Sequence, residues 1–267
     1  MNRIDKTFKE LKALNKTAFM PFITAGDPDI KISEKILRVL AESGADVIEI
    51  GVPFSDPVAD GPTIQKAAMR AIDAGCTLKK LFELVEKLRK DIETPFVFMS
   101  YYNVIMAFGI KKFVQESKRV GVDGFIVPDL PLEESLELRQ EAHKHDINLI
   151  LLTAPTTPLN RFKEIAKISG GFVYHVSLTG VTGARKELDS RLENEVGVFK
   201  KNSSKPVCVG FGISTQEQAK SVASFADGVI VGSAIVKLVE NNLGNEDKII
   251  KDIEKFSKQL AVAVHCD

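Results

Sequence analysis

Two carboxylates in one turn are the residues of this chain best placed to do chemistry. The stretch Glu49-Ile50-Gly51-Val52-Pro53-Phe54-Ser55-Asp56-Pro57-Val58-Ala59-Asp60-Gly61 follows the apolar run Asp46-Val47-Ile48 and precedes a helical pattern starting near Pro62. It therefore reads as the turn at the carboxyl end of a strand, where α/β barrel enzymes keep their reactive groups. Glu49 lies inside that strand between Ile48 and Ile50. The two-residue period of a strand sends both isoleucines to one face and Glu49 to the other. An ionised carboxylate packed in a strand is costly unless compensated. Its outcomes are a buried ion pair, a raised pKa, or a site that water and substrate reach. Asp60 stands in the loop with Ser55, Asp56 and Pro57 and is followed by Gly61. One acid tuned to hold a proton beside another that stays ionised suits general acid-base catalysis.

A second constellation lies in the last third of the chain. The turns Val209-Gly210-Phe211-Gly212-Ile213-Ser214 and Val231-Gly232-Ser233-Ala234 each follow an apolar run, and Gly180-Val181-Thr182-Gly183 follows another. Backbone amides and a helix N-terminus can cradle a phosphate without a cationic side chain, and barrels bind phosphate in the loops after strands seven and eight. Either the Gly210-Phe211-Gly212 turn or the Gly232-Ser233 turn alone is common turn chemistry; together they predict a phosphate site. Phe22, Tyr101 and Phe211 lie at or just beyond strand ends, placed to hold a flat apolar ring. Tyr102, Asn103, Asp129 and Tyr174 could line the same pocket, although most strand aromatics are core. Of the four histidines, His143 and His145 end a helix, His265 is in the tail and His175 is in a strand; all four read as structural or solvated.

The elements that must position these groups alternate strictly. An amphipathic helix carrying Ile4, Phe8, Leu11 and Leu14 comes first and is expected to plug a barrel rather than join a sheet. Strands are expected at Ala18 to Thr24, Asp46 to Ile50, Pro95 to Ser100, Gly124 to Val127, Asn148 to Leu152, Phe172 to Val176, Pro206 to Val209 and Gly228 to Val231. Helices are expected at Ile32 to Ser43, Thr63 to Ala74, Thr77 to Lys90, Ile110 to Val120, Leu132 to Lys144, Asn160 to Ile168, Leu188 to Lys200 and Thr215 to Ser224, with another opening at Ser233. Continuous apolar runs such as Phe96-Val97-Phe98-Met99 suit parallel strands covered on both faces. Eight strand-helix units in sequence favour a closed (β/α)8 barrel over an open sheet. No linker composition interrupts them, so residues 1–267 are expected to form one domain. The polar segment Ser177 to Lys186 fits neither pattern and reads as a lid.

Composition narrows the function classes. The 267 residues are close to the roughly 250 typical of such a barrel. Lys+Arg and Asp+Glu are both 36, so no net field draws in nucleic acid or an anionic membrane. No apolar run approaches the roughly 18 residues of a membrane helix. The start, Met1-Asn2-Arg3-Ile4-Asp5-Lys6, lacks the apolar centre of a secretory leader. Cys76, Cys208 and Cys266 are odd in number and far apart, so neither a disulfide framework nor a zinc site is expected. A cytoplasmic protein without a metal fits.

The run from Ile48 to Gly61 resembles the signature of the tryptophan synthase alpha subunit family, and the likeness extends from Pro21-Phe22-Ile23-Thr24-Ala25-Gly26-Asp27-Pro28 to the Gly232-Ser233 turn. That resemblance implies a (β/α)8 barrel that cleaves indole-3-glycerol phosphate to indole and glyceraldehyde 3-phosphate. It implies Glu49 as the acid-base, Asp60 as acceptor from the indole N–H, and Tyr174 in support. It further implies Phe22, Tyr101, Ile126, Thr182 and Phe211 around the indole, and Gly183, Gly212, Gly232 and Ser233 on the phosphate. A beta subunit is the implied partner in an alpha2beta2 complex, with loops around Asp56 and Ser177 to Lys186 closing on ligand, and no cofactor is implied. Leu178-Thr179 stand where some relatives carry a basic residue. Two other readings remain: a different phosphosugar barrel, whose Schiff-base form needs a strand lysine that no expected strand contains, and a non-catalytic subunit, which would not need both Glu49 and Asp60.

Overall fold

The computed structural model describes residues 1–177, 190–210 and 212–265. Eight parallel strands run in chain order: β1 Ala18–Thr24, β2 Ile48–Gly51, β3 Phe96–Met99, β4 Gly124–Ile126, β5 Asn148–Thr153, β6 Val173–Val176, β7 Val207–Gly210 and β8 Gly228–Val231. β8 pairs back onto β1, Ala18 opposite Gly228 and Pro21 opposite Val231, so the sheet closes with no edge. The helices are α1 Arg3–Ala13, α2 Ile30–Glu42, α3 Pro62–Asp73, α4 Leu78–Leu88, α5 Tyr102–Phe108, α6 Ile110–Val120, α7 Leu136–Lys144, α8 Leu159–Ile168, α9 Ser190–Lys201, α10 Gln216–Ala223, α11 Ser233–Asn241 and α12 Glu246–His265.

Strand periodicity sorts the apolar side chains into two cores. Ile48, Ile50, Phe96, Phe98, Phe125 and Val229 point outward and pack with the helices. Val47, Val97, Ile126, Ile150, Tyr174, Cys208 and Ile230 fill the lumen, together with Ile4, Phe8 and Leu11 of α1. The first helix is thus the expected plug. Its N-terminus is capped by the Asn2 side chain, which accepts from the Ile4 N–H. Asn2 Nδ2 also donates to the carbonyls of Asp123 and Asp146 in the turns preceding β4 and β5. The Phe8 and Phe172 rings meet with centroids 5.5 Å apart.

The amino-terminal end also holds a dense ion network. Arg89 Nη2 and the Phe96 N–H both donate to Asp123 Oδ2 at 3.0 Å, and Arg3 Nη1 donates to Oδ1 at 3.1 Å. Arg89 donates further to the carbonyls of Ile92, Thr94 and Gly121 and lies 4.1 Å from the Phe96 ring centroid.

Three expectations change. The helix expected over Leu132 to Lys144 is a 3₁₀ turn at Leu132–Glu134 followed by α7, with Ser135 Oγ donating to the Leu132 carbonyl at the joint. The sequence predicts no helix over Tyr102–Phe108. α5 forms there because the Asp129 carboxylate accepts the Tyr102 N–H at 2.9 Å, a cap from a distant loop that no local pattern reveals. His265 is not in a tail but in the last turn of α12, which packs on α2 and α10, and its Nε2 lies 2.7 Å from Asp46 Oδ2. α12 is a second helix after β8, outside the strand-helix rhythm. Its Ile249, Ile253, Leu260 and Val264 nevertheless recur at helical spacing and are buried.

Candidate active site

β2 sets the first acid. Val47 joins the lumen core while Ile48 and Ile50 join the outer one, so Glu49 projects into the barrel between Phe22 of β1 and Val97 of β3, its partners in register. It is 2 % exposed, and its Oε2 has no hydrogen-bond partner among the described residues. Burial, and then the charge of Asp60, push its carboxyl up to about 8. Nothing among the described residues offsets that rise, so the ion-pair reading of Glu49 does not hold. At neutral pH this acid carries a proton.

Asp60 sits at the end of the loop that leads into α3. Gly61 caps α3 without a side chain and Pro62 opens it, a combination that starts a helix cleanly after a turn. Gln65 Nε2 donates to the Asp60 carbonyl at 2.8 Å. Tyr101 Oη donates to Asp60 Oδ2 at 2.9 Å and accepts from the Ala59 N–H at 3.1 Å. Burial raises the Asp60 carboxyl to about 6 and the Tyr101 bond restrains it. The two acids are therefore driven apart, one mostly protonated and one mostly ionised near pH 7.

Asp60 opens onto an apolar cavity whose wall includes Phe22, Thr24, Gly51, Phe54, Ile64, Met99 and Tyr101; Glu49 is not part of that wall but pairs in register with Phe22, which is. A Cβ at Gly51 would stand 2.6 Å from Phe22 Cζ, so glycine is what lets that ring lie across the strand. Tyr174 rises from β6, its hydroxyl held well above the usual phenol range by burial and by the charges of Glu49 and Asp60. A Cβ at Gly210 would approach Tyr174 Oη to 2.3 Å. Ile126 is a buried lumen side chain rather than a cavity wall. Tyr102 and Asn103 do not line the cavity: Tyr102 packs against the outer core and Asn103 is exposed. Asp129 is spent on capping α5.

The same rim carries the glycine turns. Gly212 follows β7, exposed and with φ of 78°. Gly232 caps α11 without a side chain, and Ile235 and Val236 N–H bond back to its carbonyl, leaving the first amides of the helix uncapped by any side chain. Such an end favours an anion. Thr182, Gly183, Phe211 and the expected lid from Leu178 onward lie outside the described residues.

Comparison with known proteins decides the family. The family model described as "Tryptophan synthase alpha chain" matches residues 8–265. The chain belongs to that family. The tryptophan synthase alpha chain of Geobacter sulfurreducens is 48% identical over 264 residues, 99% of each chain. The solved tryptophan synthase subunit alpha of Legionella pneumophila superposes with a TM-score of 0.92 at 38% identity, covering 99% of this chain and 98% of that one. A tryptophan synthase complex from Pyrococcus furiosus includes a chain matching with a TM-score of 0.84 at 36% identity over 92% of this chain and 98% of that one. The family match takes in both carboxylates and the glycine turns after β7 and β8.

Sequence alone does not single out several cavity residues of this family member, among them Thr24, Gly51, Phe54, Ile64 and Met99. Phe54 was within reach of such a reading, since it stands inside the Ile48 to Gly61 signature and its ring packs on Tyr101 at 5.3 Å. Met99 is the last residue of β3, two positions beyond lumen-facing Val97, so strand parity alone would have turned it inward. His175, as expected, stays out of the site. It faces the helices, completely buried, with Nδ1 3.1 Å from Thr153 Oγ1 and its ring edge-on to Phe199.

Proposed function

We propose that Glu49 and Asp60 divide the acid-base work of cleaving indole-3-glycerol phosphate, with the substrate's phosphate on the Gly212 and Gly232-Ser233 turns. The chain is a carbon-carbon lyase of tryptophan biosynthesis, the alpha subunit of tryptophan synthase, and it works with a beta subunit. The observation that carries the assignment of roles is the Glu49 carboxyl in the lumen, its Oε2 without a partner among the described residues, raised to about 8 beside an Asp60 raised only to about 6.

Protonated Glu49 delivers its proton to indole C3, turning the ring into an electron sink. Asp60 accepts from the indole N–H and stabilises the positive charge that develops there. The Glu49 carboxylate then takes the proton of the glycerol hydroxyl adjacent to the ring. A carbonyl forms, the bond to C3 breaks, and its electron pair restores the aromatic indole. The carboxyl gives one proton to C3, which the indole keeps, and is restored by the hydroxyl proton, so the step as written needs neither metal nor cofactor. Tyr174 stands beside both acids in support. Phe22 and Tyr101 border the indole, Ile126 packs in the lumen core rather than on the cavity wall, and by the family likeness Thr182, Phe211 and Gly183 complete the two ends of the site. No described strand contains a lysine, which removes the Schiff-base aldolase alternative among the described residues.

This reading places the chain in the cytoplasm as a single domain over residues 1–267, in an alpha2beta2 assembly. No described helix is long and apolar enough to cross a membrane. The test is direct: indole-3-glycerol phosphate is added to the purified chain, with and without a beta subunit, and free indole is followed. Release of indole is expected; binding without release sinks the proposal in favour of a non-catalytic subunit.

A further inference from the structure

We propose that Arg70 is a positioning residue that holds the acid side of the site and the anion cradle at a fixed separation. The inference rests on the reading that Asp60 and the Gly232-Ser233 turn grip two ends of one substrate. Arg70 is on α3, the helix that begins directly after Asp60, and the Gln65 bond to the Asp60 carbonyl makes that backbone move with α3. α11 begins at the cradle and packs beside α3, with Ala67, Val236 and the Phe22 ring buried together. Apolar contact alone leaves two helices free to slide by small amounts. Arg70 removes that freedom.

Its Nε and Nη2 donate at 2.8 Å to the two carboxylate oxygens of Asp27, in the loop that follows β1. Asp27 is 2 % exposed, and a two-pronged guanidinium bond fixes direction as well as distance. Its Nη1 lies 3.9 Å from Glu240 in the last turn of α11, and Lys66 of α3 comes within 3.7 Å of the same carboxylate. One side chain thus ties together the loop after the Phe22 strand, the helix after Asp60 and the helix of the cradle. Arg70 does not line the cavity and its guanidinium is engaged by Asp27, so we assign it a role in placement. An error in that placement is felt by a ligand that reaches both grips and not by one that uses a single grip. A misfit of about 1 Å can lower turnover by about a hundredfold.

Three probes separate the cases in the full chain: inorganic phosphate, indole, and a non-cleavable indole joined through three carbons to a phosphate. Arg70→Met is expected to bind the spanning probe about tenfold more weakly and to lose about tenfold in kcat, with phosphate and indole binding within about twofold of the parent. Arg70→Lys keeps the charge but not the two-pronged bond and is expected to fall between. It also decides the matter should Arg70→Met fail to fold. Equal weakening of all three probes would mark Arg70 as merely structural, and unchanged binding of the spanning probe together with unchanged kcat would remove it altogether; either overturns the inference. A parent chain that binds the spanning probe no more tightly than its halves would instead overturn the functional reading beneath it.

Discussion

The two ends of this barrel bury charge in opposite ways. At the amino-terminal end, Asp123 is 4 % exposed and both of its oxygens are occupied, by Arg89, Arg3 and the Phe96 amide. Burial lowers the Arg89 guanidinium to about 10, still charged at neutral pH because Asp123 holds it there. At the carboxyl end Glu49 is just as deeply buried, yet one oxygen has no partner, and the Thr24 hydroxyl above it has none either. Taking a charge out of water is costly at both ends. Where both oxygens are met, the result is a fixed structure; where one is left open, the acid keeps its proton and stays available to react.

The comparison is tested most severely by Glu49→Gln. Turnover is expected to fall by about a hundred- to ten-thousand-fold with spanning-ligand binding nearly intact. Stability should move the other way. The folded-state value of about 8 lies above the ordinary 4.5, so between those pH values the unfolded chain releases a proton that the folded one keeps. Glu49 therefore weakens the fold progressively as pH rises from 4.5 to 8, and Gln should recover on the order of 4 kcal/mol at pH 8, read by thermal unfolding. A variant that is less stable at pH 8 would show that Glu49 is compensated after all.

At the other end, Asp123→Ala strands Arg89 and is expected to cost about 3–5 kcal/mol of stability in a denaturant titration. The molecules that remain folded should keep the parent kcat; a loss of kcat larger than the loss of folded protein would show that the two ends are not separable. Tyr101→Phe removes the bond that restrains Asp60. Activity at neutral pH should drop about tenfold, at roughly 1.5 kcal/mol for a bond to a charged group. The acidic limb of the pH-rate profile should shift to higher pH, because Asp60 then protonates more readily. A profile unmoved from the parent's would detach Tyr101 from Asp60.

The smallest effect belongs to neither end. Burial holds the His175 imidazole down to about 4, below its ordinary 6.5. Below pH 6.5 the unfolded chain takes up a proton that the folded one refuses, so stability is full above 6.5 and declines as pH falls toward 4. About 1 kcal/mol should be lost by pH 5.5. His175→Phe should flatten that part of the stability-pH curve, and an unchanged slope would place the acid sensitivity elsewhere.

The sequence carried the barrel because its period was written twice, in the alternation of strands with helices and in the parity inside each strand. Ile48, Glu49 and Ile50 set the acid on the face opposite the isoleucines, and only the structure shows that face to be the lumen. What it hid were contacts between distant segments. The Asp129 cap on α5, the Tyr101 bond to Asp60 and the Arg70 bond to Asp27 each join residues at least 27 positions apart. Single-position chemistry does not announce such partners. α12 was hidden differently: its apolar spacing is regular, but it follows the eighth strand-helix unit, where the rhythm no longer required anything.

The helix that stoppers the floor of the lumen has one more consequence. With Ile4, Phe8 and Leu11 wedged among the inner side chains, the floor of the barrel is stoppered, and among the described residues the way in and out is the mouth where Asp60 and Ser233 stand. The direction in which a freed aromatic product departs is therefore set by what covers that mouth at the moment of release.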